Sequence, residues 1–546
     1  MPTVGVLSVG IYHIHFGVDA HALIREPWWH DSVGYEIYIR SFCDGDGDGV
    51  GDLVGLTSRL DHLVELGVDL IWVTPFYASP MADFGYDVSD YRSVDPTFGS
   101  IEAFDQLVAA AHRRGMRLVV DLVPNHCSDQ HRWFREAVAD PDGPFRDYFV
   151  WRPAASDGGL PNNWVSNFGG PAWTFEPSSG EFYLHLFLPE QPDLNWRNPR
   201  VLAEFDRILR FWLERGVDGF RIDVAHALAK DVHLRDNVQI APFEWTAPRW
   251  TQWSAFEHLH DIRQPETLDI YRAWREIAEE YDAVLIGETY VLDELQFADL
   301  LPGDGLDIGF WFKPMFIEWD ADEIRDVLRG PVKAVADPSM IGWVSSSHDD
   351  SRPATRFGGG ETGRRRALAF STMLFCLPGL PFLYQGEELG LVDGVIPEDA
   401  RADPVGADVQ LSRDGFRTPM PWEPGPAFGF SDKANSWLPH GGRTDADTAS
   451  VQIADPQSWY YRYRALIALR KTEPELRTTA VEWLEENGGL VGFRRGSLLV
   501  YLNAGADAVA LEADGSVLFA TNGLGGMATP STSLDPGDAI VIRSGR

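Results

Sequence analysis

Basic residues are scarce in this chain: 46 Lys and Arg stand against 82 Asp and Glu in 546 residues, a formal charge of −36. A surface that acidic repels phosphate backbones and anionic membranes, so neither nucleic acid nor membrane is an expected partner. Cysteine is scarcer still. Cys43, Cys127 and Cys376 are the only three, and without C-x-x-C spacing they build neither a disulfide framework nor a thiolate metal site. Free thiols in a reducing, cytoplasmic compartment are the expectation. No run of roughly 18 apolar residues occurs, so no membrane-spanning helix is expected. Residues 1–24, interrupted by His13, His15 and Asp19, lack the basic start and small-residue cleavage site of a signal peptide. G-x-x-x-x-G-K and H-E-x-x-H are missing as well, which leaves nucleotide and zinc chemistry unsupported.

What the chain does have is a regular alternation of strand-like and helix-like segments. Strands are expected at Val33 to Ile39, Leu70 to Val73, Arg117 to Val123, Gly219 to Asp223, Val284 to Gly287, Leu306 to Phe310, Gly342 to Ser346 and Pro381 to Tyr384. Between them lie helical stripes such as Val201, Leu202, Phe205, Ile208, Leu209 and Trp212, spaced to cover a strand. This pattern predicts an α/β fold, a (β/α)8 TIM barrel. A long Gly-, Pro- and aromatic-rich stretch without helical period predicts an inserted lobe after the third strand. Short alternating runs after the helix Trp459 to Lys471 predict a C-terminal antiparallel β domain. The expected boundaries are an N-terminal extension at 1–27, the barrel at 28–126 and 198–472, the lobe at 127–197 and a β-sandwich at 473–546.

Three β-type runs end on an acid: Val217 to Asp223 (VDGFRID), Val284 to Glu288 (VLIGE) and Trp343 to Asp349 (WVSSSHD). A strand that stops on a carboxylate places it at the C-terminal rim, where such barrels build their sites. Three acids meeting there point to sugar chemistry. Breaking a glycosidic bond takes one carboxylate as nucleophile or base and one carboxylic acid as proton donor, around an oxocarbenium-like transition state. Arg221 and Asp223 lie two residues apart and face the same way on a strand, so the guanidinium keeps the carboxylate ionised; alone, the pair also reads as a structural ion pair. Glu288 closes an apolar strand, a setting that favours the protonated form and hence a proton donor; a helix-capping acid is the other reading. His348 beside Asp349, and Asp121 with His126 in DLVPNH, end two strands and bring groups that hydrogen-bond sugar hydroxyls. The stretch Asp44 to Asp52 (DGDGDGVGD) carries oxygen ligands at alternate positions, as a hard-cation loop requires, with Gly55 where an EF-hand has its bidentate Glu.

DLVPNH, GFRIDV, IGET and SHDD resemble the four ordered signature regions of the α-amylase superfamily, glycoside hydrolase family 13, over residues 28–546. FGYDVSDY, QPDLNW and RTPMPW resemble its oligo-1,6-glucosidase and α-glucosidase branch. The resemblance implies a retaining double displacement with Asp223 as nucleophile, Glu288 as acid/base and Asp349 as transition-state stabiliser. It implies Arg221, His126 and His348 as contacts to the reacting glucose, with Tyr86 stacked on it and Phe168 and Phe187 as aromatic walls. Asp87 with Arg417 would hold the terminal 4-hydroxyl and close the pocket, Arg413 being the rival partner and loop bracing the other reading. The family's SF-x-D-x-x-G-D-G-x-G-D-L loop implies Ca²⁺, or Mg²⁺, on Asp44, Asp46, Asp48, the Val50 carbonyl and Asp52. The chain departs from the family at Ser347 and Asp350, on either side of the His-Asp pair, where Asn and Gln, Glu or a small residue are usual. Val224 leans toward α-1,6 linkages, whereas AHALAKD resembles enzymes acting on maltose. The expected function is an exo-acting α-glucosidase on small oligosaccharides, monomeric or homodimeric, with some transfer to sugar hydroxyls. The alternatives are a transferase or isomerase resembling trehalose synthase and, further off, an inactive accessory subunit.

Overall fold

A computed structural model describes residues 27–404, 412–433, 435–477, 480–485, 488–511, 515–523, 528–529 and 532–545. The expected N-terminal extension lies outside these residues except for Pro27. Eight strands form a closed parallel barrel: β1 (Gly34–Ile37), β2 (Leu70–Val73), β3 (Arg117–Leu122), β4 (Gly219–Ile222), β5 (Val284–Gly287), β6 (Ile308–Trp311), β7 (Ile341–Trp343) and β8 (Leu380–Tyr384). Their two-residue period sorts the side chains. Leu70, Trp72, Val119, Val284, Ile286, Ile308, Phe310 and Phe382 fill the barrel, while Ile71, Val73, Leu118, Val120, Leu285 and Ile222 meet the surrounding helices. Gly34 is glycine because a Cβ there would stand 2.4 Å from the ring of Phe382.

The stripe read at Val201 to Trp212 is the buried face of the helix Pro199–Leu213, with Asn198 as its N-cap accepting from Arg200 N. Strand ends shift by one or two residues at several places, and the seventh strand departs furthest from expectation. β7 stops at Trp343, so Asp349 sits on the following loop; Ser345 and Ser346 turn their hydroxyls to Glu387, and Ser347 bridges to Asp350.

Between β3 and the helix Pro199–Leu213 stands a lobe with the helix Arg132–Ala139 and a three-stranded sheet, Trp151–Arg152, Glu181–Leu184 and Trp173–Glu176. A second cap follows β4: Val238–Gln239 pairs with Phe256–Glu257 and encloses the short helix Arg249–Ser254. The C-terminal strands form a six-stranded antiparallel sheet, and Val509–Leu511 pairs separately with Thr532–Leu534. Alternation divides that sheet's faces. Leu499, Ile540 and Ile542 pack under the smaller pair, whereas Leu498, Val500, Leu502 and Val541 join the barrel's own core. The contact runs through the helix Gly360–Cys376, buried over its whole second half from Ala367 to Cys376 because the barrel covers one side and the sheet the other.

Candidate active site

The upper layer of the barrel interior is charged. Arg221, on β4, is 2% exposed and holds three acids at once: Asp121 Oδ1 at 2.8 Å, Asp223 Oδ1 at 2.7 Å and Glu288 Oε1 at 2.9 Å. Its guanidinium lies 4.7 Å over the Trp72 ring. Asp121 also accepts from Trp72 Nε1 at 3.1 Å and from the Tyr86 hydroxyl at 3.0 Å, and burial raises it to about 6 against the pull of Arg221. Asp223 and Glu288 each follow their strand's last residue and share the Arg221 guanidinium, Asp223 on Nη1 and Glu288 on Nη2. The chain turns sharply at Val224, a β-branched residue at φ +47°, and its N–H donates to Glu288 Oε2 at 2.7 Å. A left-handed valine is strained, and here the strain sets the two carboxyls together.

The expectation that Arg221 simply keeps Asp223 ionised gives way to a different balance. Burial and the adjoining Glu288 carboxylate push Asp223 well above the usual carboxylate range, because one guanidinium is divided among three acids. Burial and mutual repulsion thus work against full ionisation of these acids, and Arg221 works for it.

Asp349 is the opposite case. Burial would raise it, but His348 and the guanidiniums of Arg417 (2.6 Å) and Arg413 (3.1 Å) hold it well below the usual range. It is a fixed anion opposite the pair. His348 is sandwiched between Tyr38 and Tyr86, with centroids 5.5 and 5.4 Å away, and its Nδ1 lies 2.6 Å from Glu36 Oε1. Burial lowers His348 and raises Glu36, so both tend to the uncharged form. His126, lowered to about 4 by burial, meets Gln191 Nε2 at 3.1 Å.

These groups open into a cavity of about 150 Å³. Of the residues expected from sequence, Asp223, Glu288, Asp349, Tyr86, His126, Phe168 and Phe187 line it. Arg221, His348 and Arg417 stand behind that lining, each 2% exposed or less. Asp87 is displaced from its expected place. Its carboxylate accepts from Ser79 Oγ, Ala82 N and Asp83 N, bracing its own loop, and it does not meet Arg417. The closing pair is instead Asp83 with Arg413, 2.8 Å apart, both on the cavity wall, with Asp403 also on Arg413 at 2.8 Å. Arg413 was the rival reading; Asp83 was missed, although it lies inside the same loop as FGYD. Gln191, in the quoted QPDLNW, and Tyr290, Arg249, Trp250 and Trp253 were also missed. The last three come from the unexpected cap after β4, whose one signal was its run of tryptophans.

Away from this cavity, Asp44, Asp46 and Asp48 bring carboxylate oxygens within 4.8 Å of one another. Backbone N–H groups of Gly47 and Gly49 fix Asp44, that of Asp48 fixes Asp46, and that of Val50 fixes Asp48. Such a set suits a hard cation. Asp52 stands apart from the converging three: it caps the helix Leu53–Ser58 through Gly55 N and accepts from Gly45 N and Asp46 N.

A barrel rim that gathers two carboxyls on one guanidinium, a third acid held by two more and buried histidines around one cavity defines a glycosidase. The model of the alpha amylase catalytic domain matches residues 36–479, and the chain belongs to that alpha-amylase family. A probable alpha-glucosidase of Rhizobium meliloti (strain 1021) is 40% identical over 482 residues, spanning 86% of this chain and 87% of the relative. An oligo-1,6-glucosidase of Halalkalibacterium halodurans is 36% identical over 479 residues, spanning 81% and 83%. The crystal structure of the alpha-glucosyl transfer enzyme XgtA superposes with a TM-score of 0.87 at 37% identity, over 95% of this chain and 99% of that one.

Proposed function

We propose that the protein is a retaining, exo-acting α-glucosidase that releases terminal glucose from short α-glucosides. The observation that carries this reading is that Asp223 and Glu288 share one guanidinium, at 2.7 and 2.9 Å. Carboxyls gathered on one guanidinium stand near each other, which favours the arrangement of enzymes that attack the sugar covalently. Asp223 then attacks the anomeric carbon while Glu288 gives its proton to the departing oxygen. Glu288 next takes a proton from the incoming water or sugar hydroxyl, and Asp349 holds the distorted ring. Asp83 and Arg413 would grip the hydroxyls of the non-reducing end and make the cavity blind, which fixes exo action.

The experiment is incubation with maltose, following products by chromatography. Net release of two glucose per maltose is expected, with isomaltose-type transfer products appearing at high substrate; trehalose formed without glucose would overturn hydrolysis in favour of an isomerase. The superposition on a transfer enzyme supports the transfer arm of this reading.

Asp44, Asp46, Asp48 and the Val50 carbonyl would hold Ca²⁺ or Mg²⁺, which supplies cross-linking of the loop after β1 and no chemistry at the sugar. Chelation by EDTA is then expected to lower the melting temperature by roughly 3–8 °C, restored by added Ca²⁺, with kcat well below the melt unchanged. An identical melting curve with and without chelator would remove the metal. Three buried free cysteines support a reducing, cytoplasmic setting.

A further inference from the structure

Two kinds of contact hold His348 at the barrel rim. Tyr38 and Tyr86 lie nearly parallel to its ring, at 8° and 7°, which fixes the plane of the imidazole but not which nitrogen carries its proton. That choice falls to the groups at the ring's edge. On one side Glu36 Oε1, from β1, stands 2.6 Å from Nδ1 and also accepts from the His348 backbone N–H at 3.2 Å. On the other, Nε2 is buried and lies 3.2 Å from Asp349 Oδ2. Asp349 is already pinned on its other oxygen, since Arg413 and Arg417 both meet Oδ1. Among the described residues Glu36 is in ion-pair distance of no guanidinium or ammonium, and it is 1% exposed.

Two lone pairs at this separation repel unless a hydrogen lies between them, so one proton belongs on the line from Glu36 to Nδ1. If a neutral imidazole supplied it, Nε2 would turn a bare lone pair to the Asp349 anion. A carboxylic acid at Glu36 removes that conflict. We propose that Glu36 is a positioning residue: its carboxyl O–H donates to Nδ1 and thereby keeps the ring proton of His348 on Nε2, facing Asp349 Oδ2. The proposal rests on the α-glucosidase reading, in which Asp349 holds the distorted sugar, and deepens it by extending the site through the histidine to β1. An imidazolium beside a carboxylate would carry the same Nε2 proton but would enclose two ions. Burial opposes that pairing, because it raises Glu36 above the usual carboxylate range and lowers His348. With Oδ1 on two guanidiniums and Oδ2 drawn toward Nε2–H, both oxygens of Asp349 are oriented before the sugar arrives.

The test measures kcat and KM on maltose for Glu36→Met, Glu36→Gln, His348→Ala and the double variant Glu36→Met with His348→Ala. Methionine fills the space without a donor, so kcat is expected to fall about ten- to a hundredfold with KM within about threefold of the parent, the lost contact serving the transition state. Glutamine can turn an amide N–H to Nδ1 and is expected to recover at least about fivefold of that loss. In the double variant kcat is expected to stay within about threefold of His348→Ala alone, because a residue that works through the ring has nothing left to orient. A change that merely disturbed packing would multiply the two losses. Should Glu36→Met fold poorly by circular dichroism, Glu36→Ala takes its place in each comparison. A kcat loss under about tenfold, a loss seated in KM, a glutamine variant as slow as the methionine one, or losses that multiply in the double variant would each overturn the proposal. A parent enzyme that releases no glucose from maltose would instead sink the α-glucosidase reading beneath it, so the two failures are told apart.

Discussion

Replacing Asp223 by asparagine is expected to cut kcat on every α-glucoside by roughly four to six orders of magnitude, the range seen when an enzyme loses its nucleophile. The amide has the carboxylate's shape but cannot form the glycosyl ester, so substrate still binds and turnover stops. The fold should survive. Asp223 is one of three acids around a single guanidinium, and removing one negative charge relieves the repulsion that raises its own pKa, so the melting temperature is expected to hold or rise. A chemical signature separates a nucleophile from a supporting acid. Asp223→Ala with azide and an activated α-glucoside is expected to yield β-glucosyl azide, because the small anion enters the vacated face and inverts the centre. Residual activity within a hundredfold of the parent, or no azide adduct, would reassign the residue.

Arg221→Met is expected to do comparable damage to catalysis and far more to the fold. Among the described residues the guanidinium is the one cation in direct ion pairs with Asp121, Asp223 and Glu288, and the variant leaves those carboxyls buried without it. Removing one partner of a buried charge cluster costs about 3–5 kcal/mol. The cost depends on pH with a definite sign. Asp121 already sits at about 6, above its unfolded value, and loses its main attraction in the variant, so its folded pKa climbs further. A group whose folded pKa is raised contributes stability below its unfolded pKa, about 4, and loses it as pH rises through the folded value. The variant's deficit should therefore be small near pH 4 and grow through pH 6 to 8. Denaturant melts at pH 5 and 7.5 read this directly, and a deficit independent of pH would show that lost packing against Trp72, not charge, is responsible.

The positions of the eight barrel strands were legible in the sequence because each is a short apolar run with nowhere to go but a closed sheet. β2 and β5 fall on the expected residues, and Asp223 and Glu288 follow from the ends of β4 and β5. Local pattern failed where geometry is set by loops. The WVSSSHD run reads as one strand, yet three serines that satisfy their hydroxyls nearby end β7 early and carry Asp349 round on a turn. In DFGYD the two aspartates are equivalent by composition; only the fold shows that backbone N–H groups consume Asp87 while Asp83 reaches Arg413 across the cavity. The cap after β4 has almost no periodicity: Trp250 packs on Tyr290 and Arg249, Trp253 on His258 and Trp245 on Phe243.

The C-terminal sheet turns Leu498, Val500, Leu502 and Val541 inward to the same core that surrounds the barrel, with the helix Gly360–Cys376 buried between them. A protein cut at the end of the helix Trp459–Thr472 would bare an oily flank of that middle helix to water, and the severed sheet would bare its mate. The tail is thus the outer wall of the catalytic body, and swapping it for a relative's tail succeeds only if both halves of that shared seam are exchanged together.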